Sequence, residues 1–264
     1  MFDDMFKGSD ANVSDMLEAM SLMQKPGHNA EVSFYELYMK SGINARIPKM
    51  YFGEKFSDTC SQGILILEDV GTDSAISKLF ETLSADEIKQ VLKSLAALNA
   101  FSLKHPEFIN IGEVTMASVM SNFTKKDILG TLLKSSTLGD ERLTELYNKL
   151  MEYESVLKDL SVFETVAAEC GLPSMLVHGD LWSSNVMWKK NVDGTRNLAG
   201  IVDWQLYAHA MSQILPVFGT IGEANLVSRF PDRKDEVVEG MKRKTKGLLE
   251  DILINLKKNY LVKN

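Results

Sequence analysis

One stretch constrains this chain more than any other: Leu176-Val177-His178-Gly179-Asp180-Leu181-Trp182-Ser183-Ser184-Asn185, echoed further on by Ile201-Val202-Asp203-Trp204. Each acidic or amide residue in it stands at the edge of a short apolar run. Such runs read as short buried strands whose polar residues mark where the chain leaves the interior. Met175-Leu176-Val177, Asn185-Val186-Met187-Trp188 and Ala199-Gly200-Ile201-Val202 are expected to be strands of this kind. Asp180, Asn185 and Asp203 can then converge at one end of them.

The rest of the chain supplies helices and a few more strands. Met16, Leu17, Met20 and Met23 give a weak helical pattern that Pro26-Gly27 is expected to stop. A firmer helix is expected from Asn29 to Lys40, closed by Ser41-Gly42, then a short strand over Ile47–Phe52. A turn-rich stretch from Glu54 to Gly63 leads into Ile64-Leu65-Ile66-Leu67, read as a buried strand. Ser84-Ala85-Asp86-Glu87 has the form of a capping box, opening a helix with Ile88, Val91, Leu92, Leu95 and Leu98 on one face. A second helix from Asp140 carries Leu143, Leu146, Tyr147, Leu150, Tyr153 and Leu157, and a third carries Val238, Met241, Leu248, Leu249, Ile252, Leu256 and Tyr260.

Composition narrows the classes. With 264 residues, 45% hydrophobic and 25% charged, the chain can bury a sizeable core without staples. The net charge of −7 offers no field for a polyanion, so no nucleic-acid partner is expected. The basic run Lys242–Lys246 reads as the solvated face of a helix, with Glu236, Glu239, Glu250 and Asp251 around it. Cys60 and Cys170 lie far apart and read as free thiols. No apolar run is long enough to span a bilayer and the first ten residues are not a signal peptide, so a cytoplasmic location is expected.

The residue types suit one chemistry. Asp180 and Asn185 are five apart, the spacing of the H-R-D-x-x-x-x-N catalytic loop. A carboxylate beside an attacking hydroxyl accepts its proton, a neutral amide oxygen binds a hard divalent ion without repelling phosphate, and a second carboxylate bridges metal and phosphates. His178 is then a brace for the loop, not the base. A metal-dependent phosphoesterase would want more ligands, and His28, His105 and His209 form no ligand-spaced cluster with His178.

The string VHGDLWSSNVMW followed by IVDWQ resembles the choline kinase and aminoglycoside phosphotransferase superfamily. Within it the chain looks most like the nematode-type CHK kinase-like, or ecdysteroid-kinase-like, branch. HNAEVSFYELY (His28–Tyr38), IPKMYFGEKF (Ile47–Phe56), ILILEDV (Ile64–Val70) and LAALNAFSLKHPE (Leu95–Glu107) agree in order, so the resemblance covers about residues 28 to 205. It implies an α+β, protein-kinase-like bilobal fold, with residues 1–70 a partial N-lobe and 71–264 a mainly helical C-lobe. It also implies ATP- and Mg2+-dependent phosphoryl transfer to a small alcohol, of sterol, choline-like or xenobiotic class. On the matching positions Asp180 would be the catalytic base, and Asn185 and Asp203 the magnesium ligands. Glu68, Asp69 and Val70 would be the hinge meeting adenine, and Glu31 would pair with a phosphate-binding lysine. From residues alone, Glu31 reads equally as a solvated helix carboxylate, and Glu68-Asp69 as a strand-end turn.

The resemblance also sets up an expectation of impairment. Neither a glycine-rich loop nor a strand lysine precedes Glu31: the glycines there are Gly8 and Gly27, and Lys7 and Lys25 sit in no apolar strand pattern. The stretch after Gln205 likewise departs from the family's pattern. Losing one electrostatic contact to the transferred group commonly costs factors of roughly 10² to 10³. The alternative is a catalytically dead pseudokinase or degenerate paralogue that binds nucleotide or a partner.

Overall fold

The computed structural model describes residues 13–78, 80–108, 111, 121, 134, 137–157, 159, 165, 168–169, 171–204 and 227–260. In order, its main elements are α1 (Val13–Ser41), β1 (Met50–Glu54), β2 (Ile64–Leu67), β3 (Ser74–Ile76) and α2 (Ala85–Ser102). They continue with α3 (Glu141–Met151), α4 (Glu154–Leu157), β4 (Val186–Lys190), β5 (Arg196–Ile201) and α5 (Lys234–Tyr260). The class is α+β, as expected. Cys170, Gln205 and His209 lie outside the described residues.

The chain divides into two compact units, one of Met20–Val119 with Val162–Ala210, the other of Met1–Ala19, Met120–Ser161 and Met211–Asn264. In the second unit α3 and α5 pack through Leu143, Leu150, Leu249 and Leu253. Asp140 caps α3 by accepting from the amides of Arg142 and Leu143. The expected single helix from Asp140 to Leu157 is broken after Met151, and α4 resumes it for one turn. Lys242 pairs with Asp140 at 3.2 Å and Lys246 with Glu250 at 3.5 Å, so two cations of the basic run have carboxylate partners. No described helix is long and apolar enough to cross a membrane.

The first unit holds the chemistry-bearing segment. Here α1 does not stop at Pro26-Gly27 but runs through them. Proline inside a helix removes one ladder bond and crowds the preceding turn, a cost of about 3 kcal/mol. Contacts in the following turns offset it. His28 Nε2 donates to the Glu54 carbonyl at 2.8 Å, Asn29 bonds both the carbonyl and the amide of Phe56, and Ala30, Val32, Phe34 and Tyr35 are buried. Gly42, with φ of 70°, ends the helix where expected.

β1 begins at Met50, later than the expected Ile47, and runs on to Glu54, pairing antiparallel with β2. β2 has the expected bounds but is not buried as expected. Leu65 and Leu67 turn inward while Ile66, opposite Phe52, is 50% exposed. A continuous apolar run does not require two buried faces, and this two-stranded sheet covers only one. Gly53 makes that covering close: a Cβ there would meet Val32 Cγ1 of α1 at 2.9 Å.

β3, β4 and β5 form an antiparallel sheet in that order, with Ala75 opposite Trp188 and Trp188 opposite Leu198. Val186 and Trp188 are buried and Lys189 and Lys190 exposed. Met175–Val177, expected as a strand, joins no sheet. Its Leu176 amide instead donates to Ser102 Oγ at 2.9 Å, so a side chain replaces the strand ladder.

That bond explains a second correction. The capping box of α2 forms as expected, with Ser84 and Glu87 satisfying each other's amides. The buried stripe, however, is Glu87, Val91, Ser94, Leu98 and Ser102, while Ile88 and Leu92 are exposed. The polar members are buried because each holds other parts of the chain. Ser94 Oγ accepts from the Arg46 amide, Ser102 from Leu176, and Glu87 pairs with Arg196 of β5. Hydrophobicity counted along one helix does not register such partners.

Candidate functional site

The site is built on two segments held together by His178. Its ring is buried, its Nε2–H donates to the Val202 carbonyl at 2.9 Å, and it lies against Trp204 with centroids 4.4 Å apart. Burial pushes its pKa down to about 4, so the ring is neutral at neutral pH and acts as a fixed donor. Two left-handed backbone positions flank it, Gly179 at φ 77° and Asp203 at φ 66°. The second is unusual for a residue with a side chain, though aspartate is among those that tolerate it.

Asp180 follows Gly179 and is half-buried. No donor among the described residues reaches its carboxylate. Burial, and then the negative charge of Asp203, raise its pKa to about 6. Asn185 is buried in the turn Ser183–Asn185 that enters β4. Its Nδ2 donates to the Asp180 backbone carbonyl at 2.9 Å, and its own carbonyl accepts from the Val202 amide at 3.0 Å. With Nδ2 committed, Oδ1 is the acceptor left over. Asp180 and Asn185 are thus tied by a hydrogen bond, and the Val202–Asn185 bond brings Asp203, one residue on, to the same end of the β4–β5 pair.

Glu31 joins them from α1. The amide of Trp204, the residue after Asp203, donates to Glu31 Oε1 at 3.1 Å. Burial first and Asp203 second raise Glu31 to about 7. Trp204 is clamped here: its ring stacks on Phe34 at 4.2 Å and its Nε1 donates to the Ile201 carbonyl at 3.0 Å. One turn beyond Glu31, Tyr35 is fully buried and its hydroxyl has no hydrogen-bond partner among the described residues. Its phenol is pushed upward by burial and then by Glu31 and Asp203. Sequence reasoning passed over Tyr35; the available signal was its spacing of four from Glu31 on one helix face. Trp182 Nε1 and Ser183 Oγ, two and three residues after Asp180, are also buried without partners among the described residues.

Glu68, Asp69 and Val70 follow β2. Glu68 bonds Lys49 twice, its amide to the Lys49 carbonyl at 2.7 Å and its carboxylate to the Lys49 amide at 3.0 Å. Asp69 Oδ1 accepts from the Gly71 amide at 2.9 Å. Both carboxylates thus serve the local turn. Val70 lies near Gly200 of β5, where a Cβ would crowd Pro48 at 3.1 Å and approach Val70 Cγ1 at 3.7 Å.

As a metal centre the donor set is sparse and hard. Among the described residues no group of three or more His, Cys, Asp or Glu side chains could hold an ion. One amide oxygen and one carboxylate are the kind of donors that suit magnesium, which keeps most of its waters. Zinc-type chemistry finds no ligand set among them.

Residues 2–212 match the family model DUF1679, described as "Uncharacterized oxidoreductase dhs-27". The chain belongs to this family. Among curated proteins it is 23% identical over 185 residues to "Uncharacterized oxidoreductase dhs-27" of Caenorhabditis elegans, covering 67% of this chain and 22% of that protein. It is 26% identical over 182 residues to "Uncharacterized kinase-like protein D1044.1" of the same organism, covering 66% of this chain and 45% of that protein. The chain therefore spans about a fifth of one relative and under half of the other. No solved structure matches it significantly. In this DUF1679 chain every residue of the site, from Glu31 to Trp204, falls inside the matched region, whereas α5 lies beyond it.

Proposed function

We propose that this DUF1679 chain is a small-molecule kinase-like protein that binds ATP with Mg2+ and transfers the γ-phosphoryl group to a hydroxyl of a small alcohol. The single observation that carries the proposal is the grouping of Asp180, Asn185 and Asp203 at one end of the β4–β5 pair, where no donor among the described residues reaches the Asp180 carboxylate. The kinase-like relative supports the same class. On this reading residues 1–70 supply a partial N-lobe, the rest a C-lobe, and Glu68–Val70 meet adenine. The acceptor belongs to a sterol, choline-like or xenobiotic class, and the protein works in the cytoplasm.

Asp180 would take the proton of the acceptor hydroxyl as its oxygen bonds to the γ-phosphorus and the bond to ADP breaks. Asn185, oriented through its bond to the Asp180 carbonyl, would present Oδ1 to magnesium beside Asp203. Bound there, the ion supplies charge neutralisation for the phosphates. His178 holds the two segments in register as a neutral donor. No lysine or arginine among the described residues bonds Glu31, and this favours slow turnover or, as a second reading, nucleotide binding without catalysis.

The name of the other relative points to oxidoreductase chemistry. A dinucleotide site of the Rossmann kind rests on G-x-G-x-x-G, and this sequence contains no G-x-G at any position. The proposal is tested by nucleotide-dependent thermal shift with and without Mg2+, followed by phosphoryl transfer from ATP over a panel of alcohols, wild type against Asp180→Ala. Mg2+-dependent stabilisation by ATP with Asp180-dependent turnover is the expected result. Stabilisation without turnover leaves the binding-module reading, and no ATP effect removes both.

A further inference from the structure

We infer that Glu31 is a positioning residue for Asp203: its carboxylate works as a hydrogen-bond acceptor for the backbone just after Asp203, and not as the counter-ion of a lysine. The consequence for magnesium rests on the proposed function, whereas the effect on the backbone does not.

Asp203 is left-handed, at φ 66°, a conformation that a residue with a side chain keeps only where its surroundings impose it. The two peptide groups that flank it, and so set its backbone, are both pinned. Before it, the Val202 carbonyl accepts from His178 Nε2 at 2.9 Å. After it, the Trp204 amide donates to Glu31 Oε1 at 3.1 Å. One restraint comes from the segment that carries Asp180, and the other from α1, 173 positions away.

The helix holds Trp204 twice. Glu31 and Phe34 are three apart in α1 and share a face. Glu31 takes the Trp204 amide, while Phe34 stacks on the Trp204 ring at 4.2 Å and 11°. The indole Nε1 is tied as well, donating to the Ile201 carbonyl at 3.0 Å, and Trp204 is fully buried. With ring and amide both held, the peptide after Asp203 cannot turn without breaking one of these contacts. An amide asks Glu31 only for an acceptor oxygen, whereas a lysine would ask for its charge. The two roles therefore predict different behaviour for a neutral side chain of the same shape.

The test compares Glu31→Leu, which removes the acceptor, with Glu31→Gln, which keeps an oxygen and loses the charge. Glu36→Gln, on the same helix, is the control. Thermal melts without ligand verify folding, and Glu31→Ala replaces Glu31→Leu if the latter does not fold. Hydrogen exchange of the full chain without ligand reads the Trp204 amide, and the Mg2+ midpoint of ATP-dependent thermal stabilisation reads the site. Glu31→Leu should speed exchange at Trp204 about tenfold or more and raise the Mg2+ midpoint about tenfold or more. Glu31→Gln should return both to within about threefold of wild type, and Glu36→Gln should move neither. Unchanged Trp204 exchange in Glu31→Leu overturns the assignment, with or without an ATP response. A Mg2+ midpoint that stays put while exchange quickens makes the bond structural only and overturns the positioning role. Glu31→Gln as impaired as Glu31→Leu does the same, because the charge would then be what matters. If ATP stabilises no variant, wild type included, the proposed function fails, while fast exchange in Glu31→Leu with recovery in Glu31→Gln upholds the hold on Asp203.

Discussion

The backbone amide of Trp204 donates to the carboxylate of Glu31 at 3.1 Å, across a sequence separation of 173 residues. This bond ties the first helix to the turn that carries Asp203. It also places a carboxylate where its charge is poorly solvated.

Stability should therefore depend on pH through Glu31. Its pKa is raised from 4.5 to about 7, so between those values the folded chain binds more protons than the unfolded one and stability falls as pH rises. Glu31→Gln removes the charge and keeps an acceptor for Trp204. In chelator-treated buffer the variant should be more stable than wild type at pH 8, by about 1–3 kcal/mol. The difference should vanish below the unfolded pKa. Urea denaturation at pH 8 and pH 4 checks this, and an equal difference at both would contradict it.

His178 moves in the opposite sense. Burial lowers its pKa from 6.5 to about 4, so its contribution is complete above 6.5 and is lost as pH falls toward 4. Ring nitrogen chemical shifts at pH 5.5 should show a neutral imidazole protonated at Nε2, the donor to Val202. A protonated ring at that pH would show that the buried brace is not formed.

Ser102 should matter more than its apolar neighbours on α2. It donates to the Asn99 carbonyl and accepts from the Leu176 amide. Ser102→Ala strands a buried amide and should cost about 1–3 kcal/mol in chemical denaturation. Leu92→Ala, at a position 58% exposed, should change stability by no more than about 0.5 kcal/mol. The reverse order would restore the face expected from hydrophobicity.

Arg196 joins β5 to α2 by pairing with Glu87, donating to Ser77 Oγ at 3.0 Å and lying over the Trp188 ring at 5.4 Å. Arg196→Met leaves Glu87 without its cation and should destabilise by about 3 kcal/mol. Adding Glu87→Gln, which preserves the capping box, should recover part of that loss. Strictly additive effects in the double-mutant cycle would mean the pair is not formed.

What the sequence determined by itself is local. The capping box at Ser84 and Glu87, the cap at Asp140, the bounds of β2 and the glycine stop at Gly42 all depend on residues within a few positions of one another. The Asp180–Asn185 spacing was visible for the same reason, since a turn of five residues carries its own geometry. Tertiary structure decided the rest. It carried α1 through Pro26, turned Ile66 outward, and buried Ser94 and Ser102 in place of Ile88 and Leu92. It also tied Glu31 to the Trp204 amide, the residue after Asp203. In each case the deciding energy comes from a partner far along the chain, such as Glu54 for His28, Leu176 for Ser102 or Trp204 for Glu31. A buried polar group is stable only when such a partner meets it, and pattern read along one element cannot supply the partner.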